Sequence, residues 1–231
     1  MADQHVGVVE LRNYVLVPGS RDRFVDYFER HFLGSQEAVG MKVLGQYRVT
    51  GAPDRFAWLR GFDDMTSRRR ALESFYDGPV WRRLGPEANA MMTSWDDVEL
   101  LRPTPGSPTL AADHGGRSAG EPETEAGSVV AAVTVTVAPD HAQGVADAVD
   151  AYEPRAPVKT LGHLQAEPAP NDFPRLPVRQ EPGTVVWLAA APAAADLEAA
   201  ARGLRTAVEA ESSPTAWRVL RLEPTARTLL R

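Results

Sequence analysis

Cysteine is absent from all 231 residues, so disulfides, thiolate metal sites and cysteine nucleophiles are excluded at the outset. An excess of positive charge is missing too. The net charge is −6 and no run resembles a basic arm; Arg68-Arg69-Arg70 lies in a helical pattern, where a solvated face is the usual explanation. No nucleic-acid groove is expected. Long apolar runs are also lacking: the most apolar stretch, residues 184–201, is broken by Pro192 and Asp196. Met1-Ala2-Asp3-Gln4-His5 has neither the basic nor the apolar region of a signal peptide. The expectation is a soluble, cytoplasmic protein without a membrane partner. No His-x-His spacing occurs, and Asp63-Asp64 and Asp96-Asp97 alternate faces on extended chain, so they read as turn or cap residues. Phosphate loops, nucleophile elbows and dinucleotide fingerprints do not occur, and neither a metal nor an organic cofactor is expected.

What the chain does have is 43% hydrophobic residues and enough length for one large or two small domains. The clearest piece is a hairpin, in which residues 44–48 and 54–62 are strand-like runs joined by Thr50-Gly51-Ala52-Pro53. On its second strand, alternation puts Phe56, Trp58, Arg60 and Phe62 on one face and Ala57, Leu59 and Gly61 on the other. The small aliphatic face suits close packing against helices. The aromatic face with its cation suits a pocket or an oligomer contact, with a packed core and a snorkelling Arg60 as the plainer alternative.

In chain order, residues 8–17 read as a strand with Glu10, Arg12 and Tyr14 opposite Val9, Leu11 and Val15. A helix follows, N-capped by Ser20, striped by Phe24, Phe28 and Phe32 and closed by Gly34, with a polar link over residues 35–40. After the hairpin come a helix from Thr66, an interruption at Gly78-Pro79, a shorter helix carrying Trp81, and a strand over residues 94–101. Strand, helix, strand, strand, helix, strand is the ferredoxin-like order. Residues 104–127, rich in Pro, Gly and small polar residues, read as a flexible linker.

Residues 128–231 repeat the plan in degenerate form. Leu161-Gly162-His163 echoes Leu44-Gly45-Gln46, Val185-Val186-Trp187-Leu188 echoes Phe56-Ala57-Trp58-Leu59, and Leu222-Glu223-Pro224-Thr225 echoes Leu101-Arg102-Pro103-Thr104. A proline-rich insertion, residues 168–182, reads as an irregular loop or a lid. The fold class expected is α+β: two tandem ferredoxin-like domains, 1–103 and 128–231, each an antiparallel sheet with helices on one face.

Glu10-Leu11-Arg12-x-Tyr14, Pro18-Gly19, Leu44-Gly45, Arg55 leading to Leu59, Phe62-Asp63-Asp64-Met65 and Pro79-x-Trp81 occur in order on the expected elements. Over residues 7–103 the chain resembles the NIPSNAP family of the dimeric α/β-barrel superfamily. Many relatives carry a His and then a Trp on the third strand, where this chain has Trp58 and Arg60. The resemblance implies that two sheets pair to close a barrel binding a small hydrophobic ligand. The pair is either an intrachain pseudo-dimer or a homodimer.

Arg12, Tyr14 and Arg60 are the candidate catalytic residues. Gln46, Trp58, Phe62 and Trp81 are the candidate substrate contacts. The two arginines could hold a carboxylate or enolate, and Tyr14 could donate a proton or orient a carbonyl. The competing reading is an arginine salt-bridge ladder to Glu10 or Asp97 across adjacent strands. His31 lies beside the phenylalanine stripe near a helix C-terminus and reads as a surface histidine rather than a base or haem ligand. His163 reads as a core or surface residue. Two function classes stay open. One is a cofactor-free enzyme of secondary metabolism, acting on an aromatic or polyketide-like molecule by proton transfer, cyclisation or oxygenation; the other is a non-catalytic binding or interaction protein.

Overall fold

A computed structural model describes residues 6–110 and 127–231. Strand β1 (Val8–Leu16) leads through a turn at Pro18-Gly19, where Gly19 takes φ 78°, into α1 (Arg21–His31). Phe24, Val25 and Phe28 form the buried stripe of that helix. A second short helix, α2 (Leu33–Glu37), follows at once and contains Gly34 and Ser35, so the expected stop at Gly34 and the polar link are corrected. Gln36 and Leu33 are buried there, which gives the turn a reason to stay helical.

The hairpin is β2 (Lys42–Val49) and β3 (Arg55–Phe62); then come α3 (Met65–Tyr76), α4 (Pro79–Ala90) and β4 (Met92–Pro103). Asp64 caps α3 in a reciprocal capping box with Ser67, and Pro79 occupies the first turn of α4, where its missing N–H costs nothing. The second half supplies β5 (Val129–Thr136), α5 (Ala142–Ala151), β6 (Lys159–Ala166), β7 (Thr184–Ala191), α6 (Ala194–Glu211) and β8 (Ala216–Pro224). Of the expected linker, Thr104 and Leu110 are buried against the barrel; residues 111–126 lie outside the described residues, as do Met1 to His5.

All eight strands close one barrel in the order β1-β3-β2-β8-β5-β7-β6-β4. Each half contributes four neighbouring strands, and two short antiparallel seams join them. The first pairs Tyr47, Arg48 and Val49 with Pro224, Glu223 and Leu222; the second pairs Leu101, Arg102 and Pro103 with Ala166, Gln165 and Leu164. The expected pair of tandem domains is therefore one closed body, with the two halves covering each other inside a single chain.

Closure also reverses the expected faces. Ala57, Leu59, Val9 and Leu11 point into the barrel, among Leu44, Ala132, Leu164, Val186 and Leu220. Trp58 and Phe62 instead pack outward beneath the helices, with Phe28, Phe32 and Phe75. The physical reason is space: a small barrel's lumen is filled by compact aliphatic side chains, whereas the helix–sheet layer has room for rings. The echoed glycines serve the same lumen. Gly45 and Gly162 follow matching register shifts in β2 and β6, and a Cβ on either would collide with the Tyr47 ring or with Leu110.

Candidate functional site

Beneath the helices of the first half lies a buried charged cluster. Glu10 on β1 accepts hydrogen bonds from Arg12, from Arg60 Nε at 2.9 Å and from Arg68 Nε at 2.7 Å. All four side chains are shut off from water. Arg60 stands directly across from Glu10 in the β1–β3 register, so the ladder reading of these strands is realised at Glu10. Asp97 pairs instead with Arg179 and Arg218. Arg68 corrects a different expectation. It points inward from α3, and its Nη1 reaches Asp172 at 2.7 Å and Asn171 at 3.1 Å.

Burial alone would raise the Glu10 pKa, but Arg60, Arg12 and Arg68 together hold it far below the usual carboxylate range. Tyr14 goes the other way. Burial pushes its pKa up against the pull of Arg12, so the phenol keeps its proton. Its oxygen accepts from Arg12 Nε at 2.8 Å, which leaves the hydroxyl proton available to a ligand. The Trp58 ring lies between two guanidiniums, 5.7 Å from Arg12 and 5.1 Å from Arg60.

Above Arg12 and Tyr14 a cavity of about 240 Å³ opens between the sheet, α3, α4 and the proline-rich insertion. Tyr76, Trp81, Asn89, Met92 and Trp95 form its sides, and Phe173, Arg175 and Leu176 of the insertion form its roof. Phe173 stacks on Tyr76 with centroids 5.9 Å apart, and Arg175 binds Asp77 at 2.9 Å. The insertion then follows β4, with the Arg179 N–H donating to the Val98 carbonyl and the Leu100 N–H to the Arg179 carbonyl. A loop of the second half therefore roofs a cavity of the first. A smaller recess of about 30 Å³ adjoins it, shares Tyr14, Tyr76, Trp81 and Met92, and ends on Trp58 and Gln36.

Of the residues expected at a site, Arg12, Tyr14 and Trp81 line the main cavity and Trp58 the recess. Arg60 and Phe62 line neither; Arg60 braces Glu10, and Phe62 is core beneath the Arg60 guanidinium. Gln46 is fully buried beside Trp58, and its side-chain amide has no hydrogen-bond partner among the described residues. Arg68 and the roof residues were missed. Arg68 carries no sign of burial within Arg68-Arg69-Arg70, and the insertion has no periodicity to read. His31 ends α1 with its ring 4.6 Å from Tyr27 and lines neither cavity, so it offers no ligand to a group bound there. Among the described residues no cluster of His, Asp and Glu could hold a metal ion, and no helix is long and apolar enough to cross a membrane.

The second half shows what the first has kept. The register equates Trp187 with Trp58 and His163 with Gln46, while Arg12, Glu10, Tyr14 and Arg60 correspond to Val133, Ala131, Val135 and Ala189. No charged cluster survives at those positions. A larger hollow of about 410 Å³ does lie beside α6, between Val129, Leu197, Trp217 and Arg205, but among the described residues no unpartnered buried side-chain polar atom faces it.

Residues 9–108 match the family model of NIPSNAP. Over those residues the first half is similar to a NIPSNAP domain. A protein from Lactobacillus acidophilus NCFM described as a candidate monooxygenase shares the fold with a TM-score of 0.62 at 12% identity, over 97% of each chain. An anthrone oxidase-like protein does so with a TM-score of 0.59 at 12% identity, covering 100% of this chain and 95% of its own. An uncharacterized NIPSNAP-like domain protein from Burkholderia xenovorans is 26% identical over 46% of this chain and 93% of its own, with a TM-score of 0.42. No curated protein matches the chain.

Proposed function

We propose that the NIPSNAP half holds a flat hydrophobic metabolite, aromatic or polyketide-like, and acts on it by proton transfer, with oxygenation or cyclisation as the outcome. The observation that carries this reading is the aromatic-walled cavity ending on a protonated Tyr14 held by a buried Arg12. Loss of a proton to water from a ring CH2 conjugated with a ring carbonyl places charge on that oxygen. The Tyr14 O–H and the Arg12 guanidinium are fixed donors that stabilise such charge in a water-poor place. With dioxygen, an activated ring CH2 becomes a carbonyl and releases one water, a balance that needs no other electron donor. The fold shared with an anthrone oxidase-like protein and a candidate monooxygenase favours this class by analogy.

A second reading, a binding protein without turnover, is favoured by one observation: among the described residues no carboxylate or histidine lines the cavity to take a proton. Dioxygen uptake with anthrone as probe separates the two. The enzyme reading expects uptake above the buffer rate, lowered about a hundredfold in Tyr14→Phe. Uptake at the buffer rate, or uptake unchanged in Tyr14→Phe, overturns it. Quenching of tryptophan fluorescence by anthrone without uptake supports the binding protein.

A further inference from the structure

We infer that the ligand of the Arg12 cavity is a monoanion, a carboxylate or delocalised enolate carried on an aromatic frame, and that Arg12 receives it. The inference rests on the cavity reading above and adds the charge of the ligand to it.

The argument is a count of charge. Arg12, Arg60 and Arg68 are fully buried, and among the described residues the carboxylates they touch are Glu10 and Asp172. Three cations face two anions. A buried guanidinium without a counter-charge is costly, and that cost falls when an anion arrives. Hydrogen bonding gives the same answer independently. Among the described residues Arg12, Arg60 and Arg68 each keep a buried Nη2 without a hydrogen-bond partner; that of Arg60 lies 2.7 Å from Glu10 but is misaligned for a bond. Of the three, Arg12 alone lines the cavity.

Arg12 spends Nη1 on Glu10 and Nε on Tyr14, so the spare Nη2 and the Tyr14 hydroxyl proton form an adjacent pair of donors. Two donors side by side fit the two oxygens of a carboxylate, or one enolate oxygen between them. Among the described residues no acidic side chain lines the cavity to compete for them. Arg175 at the roof already has Asp77 as its partner. The deficit is a single charge, which suits a carboxylate better than a phosphate dianion.

Isothermal titration calorimetry of the full chain at pH 7 with 2-naphthoate and with 2-naphthamide tests the idea, since the two probes share a frame and differ in charge. We expect naphthoate to bind at least tenfold more tightly, and Arg12→Gln to abolish that preference. Equal affinities for the two probes overturn the anion inference and leave the cavity reading standing. Binding of neither probe overturns both. If Arg12→Gln does not fold, the wild-type comparison decides alone.

Discussion

Glu10 binds three guanidiniums at once, and it can do so only because β1, β3 and α3 converge on it. Removing one partner of a buried ion pair costs about 3–5 kcal/mol, since the charges left behind stay desolvated. Glu10→Gln keeps the shape and removes the charge. We expect its urea unfolding free energy at pH 7 to drop by about that amount. The acid dependence follows from the same contacts. Arg60, Arg12 and Arg68 depress the folded-state pKa of Glu10, so its contribution is complete above the unfolded carboxylate range, about pH 4, and is lost as the pH falls toward the folded value. Below about pH 4 the wild type should lose up to ~1.4 kcal/mol per pH unit that the variant does not, and the gap between them should narrow. Parallel acid curves for the two proteins would show that Glu10 is not coupled to the arginines.

At the scale of elements, the insertion is tied down at three places: Asp172 to Arg68, Arg175 to Asp77, and Arg179 to Asp97 and Glu99. Only the first reaches the buried cluster. Asp172→Asn keeps an acceptor but removes the charge, so we expect amide exchange across residues 168–182 to quicken about tenfold, with the strands unaffected. Uniform acceleration over the whole barrel would mean that the roof is not an independent unit. The strands and main helices lie within a few residues of where the sequence puts them, because their apolar periodicity is strong. Their faces were not legible. Alternation shows that Trp58 and Leu59 point opposite ways, but not which side is lumen, and that choice depends on a partner sheet more than a hundred residues away. A cross-strand arginine ladder to Glu10 or Asp97 was legible, but that Arg60 stands opposite Glu10 was not. Arg68 was not, since nothing in Arg68-Arg69-Arg70 marks which arginine turns inward to Glu10, and Phe173 was not, since it meets Tyr76 only after the two halves close.

For the whole molecule, the seams explain the echoes between the halves. Pro103-Thr104 and Pro224-Thr225 end β4 and β8, and their threonine N–H groups donate to the carbonyls of His163 and Gln46, the equivalent residues of β6 and β2. Three residues on, Ser107 and Thr228 accept from the N–H groups of His163 and Gln46. The threonine hydroxyls reach across to Asp150 and Glu29, one carboxylate on each half's first helix. Each seam is thus the same joint, a β4-type edge clamped to a β2-type edge. A protein built from two copies of one joint has a direct consequence for its parts. A fragment of residues 1–110 carries one edge of each type and an uncovered aliphatic face bearing Val9, Leu11, Ala57 and Leu59. Exposing that face as a monomer is unfavourable. Two fragments can pair β2 with β4 twice and bury it. We expect sedimentation of the fragment to give twice its chain mass, and co-expression with residues 127–231 to shift it into a one-to-one complex. A monomeric, folded fragment would show that the seams are dispensable and that the barrel is two domains leaning on each other.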